Sequence, residues 1–227
     1  MDHAEEMLRR APLFEALDEE GTKALRAGVT DVGLARGERL FDEGDAGDAL
    51  YVVLDGKVKL TRTSADGREN LISLMGPGEM FGELSLFDLR ARTMSASAVT
   101  DVRLAALRHD DLRAWLTGRP DVAMHLLAAL ARRLRRTNEV MSDLVFTDVP
   151  GRVAKALLDL AERFGVQQED GLQVSHDLTQ EELAQLVGAS RETVNKALAD
   201  FVARGWIQLH PKSVLLIDAE RLRKRAR

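Results

Sequence analysis

The chain has 227 residues, 45% hydrophobic and 30% charged, an ordinary balance for a globular protein and enough for one large domain or two smaller ones, each with its own core. It has no cysteine, which excludes disulfides, thiolate-ligated iron-sulfur clusters and cysteine nucleophiles; its five histidines, at 3, 109, 125, 176 and 210, never recur at metal-binding spacing, so no metal is expected. The formal net charge of -5 does not advertise a nucleic-acid binder, yet residues 1–150 hold 20 Lys/Arg against 26 Asp/Glu, while residues 151–227 hold 12 against 11 and end on RLRKRAR. The acidic excess lies wholly in the first part, so a local basic face remains open in the second.

No apolar run approaches the ~20 residues that span a bilayer. The start, MDHAEEMLRR, lacks the basic and apolar stretches of a secretory signal. A cytoplasmic location without a membrane partner is expected. Up to about Gly28, Leu8, Leu13, Leu17 and Leu25 recur at roughly helical spacing and Pro12 interrupts them, which predicts two short helices.

From Leu34 to Leu107 the pattern changes to short Val-, Leu- and Ile-rich runs separated by glycines. LYVVLDGKVKL, TRTSADGREN and LISLMGPGEM read as strand, turn, strand, hairpin loop, strand and turn, which predicts an antiparallel β-roll with a side-chain-lined interior. Within it GELSLFDLRART sets Glu83, Arg90 and Arg92 among Leu84, Leu86 and Phe87. Desolvating ions is costly, so this is either a surface turn with an incidental ion pair or a pocket for a ligand bearing hydroxyls and negative charge.

HDDLRAWLTGRP predicts a short helix stopping near Gly118, with Pro120 starting the next. There Ala123, Leu127, Leu130, Leu134, Thr137, Met141 and Leu144 alternate spacings of four and three, the rhythm of a coiled-coil seam. Arg132, Arg133, Arg135, Arg136 and Asn138 leave only a narrow apolar stripe, which favours pairing with a second helix over a broad core face. Thr137 in that seam either sets register or, with Asn138, reaches a ligand on the helix. Pro150-Gly151 then breaks the pattern ahead of the amphipathic GRVAKALLDLAERFG and is read as a hinge.

In DLTQEELAQLVGASRETVNKALADF two helices flank a turn at Gly188; Thr179 and Glu182 fit a capping box, and Ser190 suits an N-cap. Val194, Ala197, Leu198 and Phe201 form the expected buried face of the second helix, leaving Arg191, Glu192, Asn195 and Lys196 at the end that a helix-turn-helix presents to the major groove. Arg191 and Lys196 can donate to guanine and Glu192 can accept from cytosine; a solvated face with Glu192 and Lys196 four apart is the plainer alternative. GWIQLHPKSVLLID adds a two-stranded wing.

These motifs together resemble the family of the bacterial cyclic AMP receptor protein and the fumarate and nitrate reduction regulator. FDEGDAGDALYVVLDGKVKL and GELSLFDLRART are similar to its cyclic-nucleotide-binding roll, and VGASRETVNKAL to its recognition helix; the carboxy-terminal run is most similar to the actinobacterial members. The resemblance implies an α+β architecture: a cyclic-nucleotide-binding β-roll with flanking helices over 1–117, a dimerisation helix over 118–147, and a winged helix-turn-helix over 148–227. It implies cyclic AMP as allosteric effector, with Gly82 and Glu83 at the ribose, Arg92 and Thr93 at the cyclic phosphate, Leu84 and Ser85 in the same turn, and Thr137 and Asn138 at adenine. Leu60, Ser73 and Met75 line the base pocket by their position in the roll.

The DNA-contacting set is Thr179, Gln180, Ser190, Arg191, Glu192, Thr193, Asn195 and Lys196. The implied partners are double-stranded DNA, read as a palindrome with TGTGA-like half-sites, a second copy of the chain, and RNA polymerase. Leu89-Arg90-Ala91 replaces a Pro- and Gly-containing turn of the relatives, and Lys196 stands where the best known enteric member has arginine. No catalytic constellation is visible. A ligand-independent regulator with a vestigial pocket and a regulatory subunit of an enzyme are the competing readings.

Overall fold

The structure is a computed structural model that describes residues 3–11, 26, 28–85, 90–117 and 119–226. It divides into two compact units, Met1–Arg135 and Arg136–Arg227. Helix α1 spans His3–Arg10; the second amino-terminal helix expected around Leu13 to Leu25 lies outside the described residues, as does 86–89 of the charged turn.

The first unit is built on two four-stranded antiparallel sheets. One has the order β1 (Val29–Leu34), β8 (Val102–Arg108), β3 (Ala49–Asp55), β6 (Met80–Phe81); the other runs β2 (Arg39–Phe41), β7 (Ser95–Ala98), β4 (Val58–Thr63), β5 (Glu69–Met75). The register Val58↔Met75 to Thr63↔Glu69 closes the hairpin read from DGKVKL and GREN. The strands alternate their side chains between two apolar surroundings. On β3, Leu50, Val52 and Leu54 face Met7 and Leu8 of α1, Leu112 of α2 (His109–Thr117) and Leu126 of α3 (Pro120–Phe146). Val53 instead joins Val58, Leu60, Met75, Phe81 and Leu104 in the roll's interior. Burial on both faces explains why LYVVL reads as an unbroken apolar run.

Helix α3 starts at Pro120, as expected, and the boundary between units falls within it. Leu126 is buried against the roll, whereas Leu127, Leu134, Met141 and Leu144 of the heptad stripe are exposed, together with Met124, Val140, Val145 and Phe146. The exposed band is thus wider than the stripe read from the sequence.

The second unit begins with the end of α3 and turns at Thr147 into α4 (Val149–Phe164), whose N-cap is Asp148, accepting from Gly151 N. Pro150-Gly151 is therefore not a hinge before the helix: it lies in the first turn, where a missing N–H costs nothing and φ near -65° fits. Gly151 is there for close packing, since a Cβ would lie 2.6 Å from Thr147 Cγ2 and 3.3 Å from Arg225 O. Ion pairs Arg136–Asp159 and Lys155–Asp143 join the end of α3 to α4.

A four-stranded sheet of order β11 (Ile207–His210), β12 (Ser213–Leu216), β10 (Gly171–Ser175), β9 (Gly165–Gln168) follows, so the expected wing is extended by two strands not anticipated in VQQEDGLQVS. Helices α5 (Gln180–Val187), α6 (Arg191–Ala203) and α7 (Ala219–Arg225) complete the unit. Its core gathers Val153, Leu157 and Leu160 of α4, Leu183 and Val187 of α5, Phe201 of α6, Val214 of β12 and Leu222 of α7. The fold is α+β, a β-roll followed by a helix-turn-helix with a wing. Among the described residues no helix is long and apolar enough to cross a membrane, and no group of three or more His, Asp or Glu could hold a metal ion.

Candidate functional site

The first unit contains a cleft of about 340 Å³, open mouth included, lined by Phe41, Leu60, Gly82, Glu83, Leu84, Ser85, Arg92, Thr93, Met94 and Arg133. Seven of the sequence-derived ligand residues therefore share one wall: Leu60, Gly82, Glu83, Leu84, Ser85, Arg92 and Thr93. Gly82 holds φ +82°, and a Cβ there would lie 2.8 Å from Arg92 Nη1 and 3.3 Å from Ala49 O. Both the left-handed backbone and the close approach require glycine. The chain turns helical at Leu84 and Ser85, where the described stretch ends.

Arg92 is only 4% exposed. Its Nη1 donates to Gly82 O at 2.8 Å and its Nη2 to Ala49 O at 2.6 Å, while the guanidinium carbon lies 4.4 Å from the centroid of the Phe41 ring. Burial lowers its pKa from the usual arginine value, and Tyr51, Asp48 and Glu83 oppose that shift. The Tyr51 phenol, stacked 5.5 Å from Phe81, is pushed up by burial. Arg92 Nε is buried and has no hydrogen-bond partner.

Glu83 is 1% exposed. One oxygen accepts from Arg133 Nη1 of α3 at 2.5 Å; the other, Oε2, is buried without a partner. Two opposite charges thus line one small cleft, each with a polar atom still unpaired. Leaving such atoms unpaired costs about 1–3 kcal/mol each, and the two lie on one cleft, where a polar ligand can meet both. Hydroxyl groups can donate to Glu83 Oε2, and an anionic oxygen can accept from Arg92.

The other sequence-derived residues lie elsewhere. Ser73 and Met75 do not line the cleft: Met75 belongs to the interior core behind Leu60, and the Ser73 hydroxyl contacts its sulfur at 3.5 Å. Ser73 and Met75 lie opposite Leu60 and Val58 on the neighbouring strand β5, so alternation puts all four on one face, of which only Leu60 reaches the cleft. Arg90 is exposed and outside the lining. Thr137 and Asn138 are exposed on α3 within the second unit. Arg133, missed as a site residue, stands four positions before Thr137, so the helical repeat puts both on one face of α3. That spacing was the available signal.

The second unit carries the other candidate surface. The capping box of α5 is complete: Thr179 Oγ1 accepts from Glu182 N at 3.2 Å, and Glu182 Oε2 accepts from Thr179 N at 2.9 Å. Gly188 closes α5 in the left-handed conformation, and Ser190 caps α6 by accepting from Thr193 N. Val194, Ala197, Leu198 and Phe201 are buried as expected, so Ser190, Arg191, Glu192, Thr193, Asn195 and Lys196 all face solvent. Lys196 Nζ donates to Glu192 Oε1 at 2.7 Å, the plainer of the two arrangements weighed for this pair. Such an exposed pair is worth only about 0.3–0.5 kcal/mol, so a base edge can displace either member. Thr179 is exposed at the head of α5, and Gln180 is half-buried with Oε1 unpaired.

The model of the cyclic nucleotide-binding domain matches residues 32–118, and that of the Crp-like helix-turn-helix domain matches residues 151–225. The CRP-like cAMP-activated global transcriptional regulator of Mycobacterium tuberculosis is 56% identical over 98% of this chain and 100% of its own. Among solved structures, the Thermus thermophilus catabolite activator protein is 39% identical, covers 95% of this chain and 98% of its own, and superposes with a TM-score of 0.55. FixK2 of Bradyrhizobium japonicum, at 22% identity, 88% of this chain, 98% of its own and a TM-score of 0.79, shares the fold. Identity sustained along both units, together with the roll and the helix-turn-helix, shows that the chain belongs to the cyclic AMP receptor protein family of DNA-binding transcription regulators.

Proposed function

We propose that the protein is a homodimeric transcription regulator in which cyclic AMP, held in the roll, favours a DNA-competent arrangement of two helix-turn-helix domains. The observation that carries this is the pair of buried, incompletely paired ions in one cleft, Glu83 with Oε2 unpaired and Arg92 with Nε unpaired. A ribose hydroxyl suits the first and a cyclic phosphate the second. A vestigial pocket would keep both unpaired atoms at a standing cost to the fold. In the dimer, Thr137 and Asn138 supply polar groups to the purine edge and the exposed stripe of α3 is covered by its copy. Ligand acts only through its difference in affinity for the two arrangements, about 2.7 kcal/mol for a hundredfold activation.

Two-fold symmetry predicts a palindromic operator with half-sites about 34 Å apart, of TGTGA-like sequence on the family pattern. Arg191, Glu192 and Lys196 read base edges, Thr193 and Asn195 support them, Thr179 and Gln180 contact the flanking backbone, and RNA polymerase is the downstream partner. The reaction is binding, with no bond made or broken, so the protein is not an enzyme. The test is operator binding by fluorescence anisotropy at fixed salt, without nucleotide and with cyclic AMP or cyclic GMP. Cyclic AMP should tighten it by at least tenfold; equal affinity in all arms, with no calorimetric heat from cyclic AMP, would leave a ligand-independent regulator.

A further inference from the structure

Binding a duplex requires cations that are not already neutralised, and the recognition helix offers few. On α6, Lys196 is paired with Glu192 at 2.7 Å, and at its C-cap Arg204 is paired with Asp200 at 2.7 Å, which leaves Arg191. Arg152 of α4 is committed to three carbonyls, donating to Thr147 O at 2.8 Å, Val187 O at 3.1 Å and Gly188 O at 3.1 Å. The concentration of charge lies instead on α7, AERLRKR. Arg221, Arg223 and Lys224 are exposed; Arg221 is 4.0 Å from Asp218, Lys224 is 3.7 Å from Glu220, and Arg223 has no ion pair among the described residues.

The packing places this charge beside the helix-turn-helix. Leu222 is buried and α7 packs on α4. Arg225 Nη2 pairs at 2.5 Å with Asp148, the cap of α4, and the Arg225 carbonyl lies 3.3 Å from the position a Cβ on Gly151 would take. The next residue, Arg152, holds the carbonyls of Val187 and Gly188, the turn that leads into Ser190 and α6. One turn of α4 therefore joins the cationic end of α7 to the amino end of the recognition helix.

We propose that α7 is a second DNA contact: Arg221, Arg223 and Lys224 bind phosphates of the duplex flanking the bases that α6 reads. The inference rests on the DNA-binding reading above and adds a sequence-independent element to it. Phosphate binding raises affinity for every sequence and steepens its salt dependence, whereas base recognition raises the preference for one sequence.

The full-length double variant Arg223→Gln/Lys224→Gln, saturated with cyclic AMP, is compared with wild type on an operator duplex and a scrambled duplex of equal length, between roughly 50 and 200 mM salt. The slope of log K against log salt should become shallower by about 0.9 for each phosphate no longer neutralised, equally on both duplexes, with the operator preference and the calorimetric affinity for cyclic AMP unchanged. An operator trimmed of its flanks should bind both proteins alike. An unchanged slope, or a wild-type advantage that survives trimming, overturns the proposal. Arg191→Ala is the contrasting arm: it should lose operator preference while its salt slope stays within about one phosphate of the wild-type value. If wild type binds neither duplex, the DNA-binding reading itself fails, a result distinct from failure of α7.

Discussion

Burying an ion in a protein is tolerated only where something replaces its water, and the cleft shows two different replacements. Arg92 is met by two backbone carbonyls and an aromatic face, Glu83 by a single guanidinium from α3. Neither set is complete, so each ion keeps a polar atom that a ligand in the shared cleft can meet. Glu83→Gln keeps the shape and removes the charge. Removing a hydrogen bond to a charged group costs about 1.5–3 kcal/mol, so cyclic AMP affinity should fall about 10- to 100-fold by calorimetry. Arg133 is partly exposed and can be solvated once freed, so the melting temperature should move little. Arg92→Lys retains charge but loses the planar fork and should weaken binding similarly, whereas Arg90→Ala should spare it. Loss of binding in Arg90→Ala alone would move the phosphate site to the Leu-Arg-Ala turn.

At the scale of an element, the ends of helices decide how the second unit is held together. Asp148 accepts from Gly151 N and pairs with Arg225, so one carboxylate both caps α4 and holds α7. The Arg225 guanidinium, against an opposing burial penalty and with help from the Gly151 N–H and the Arg152 charge, holds its carboxyl below the usual aspartate range. A carboxylate depressed in the folded state contributes stability that is fully present above its unfolded pKa of about 3.9 and is lost as pH falls through the lower folded value. Urea midpoints of wild type and Asp148→Asn should therefore differ more at pH 7 than near pH 3. Asparagine remains a good cap, so the comparison isolates the charge. A gap that does not narrow on acidification would show that the ion pair contributes nothing to anchoring α7.

For the whole molecule, the stripe on α3 is the feature that a single chain cannot explain. Leu134 and Met141 are 63% and 61% exposed, and Phe146, at 84%, more so. An apolar band of this kind is covered in solution or it aggregates. Met141→Asp, placed mid-stripe, should shift sedimentation from dimer to monomer and abolish palindrome binding, because two half-sites then engage independently. Cyclic AMP binding to the roll should weaken less, since Glu83 and Arg92 remain. A variant that stays dimeric would place the interface on another surface.

What could be read from the chain alone is what depends on neighbours within a few residues. The turn glycines separated the strands of the roll, the capping box at Thr179 and Glu182 and the cap at Ser190 set the starts of α5 and α6, and the apolar repeat of α6 named its buried face. Each is an interaction between positions at most about one helical turn or one hairpin apart. Glu83 and Arg92 are assigned to one ligand through a family pattern and Leu60 through its position in the roll, not through spacing. Tertiary structure decided the rest. Arg133 meets Glu83 across 50 positions and Arg225 meets Asp148 across 77, and no local pattern encodes such pairings. Met75 packs with Val58, Leu60 and Phe81 in the roll's interior, and the hairpin of β9 and β10 joins the wing because β10 pairs with β12. Pro150-Gly151 opens a helix instead of preceding one: Asp148 caps that turn locally, and only the Arg225 carbonyl packed against Gly151 comes from far along the chain. Local free energies choose the elements; only closure of the chain over long separations chooses which charges come to face one another.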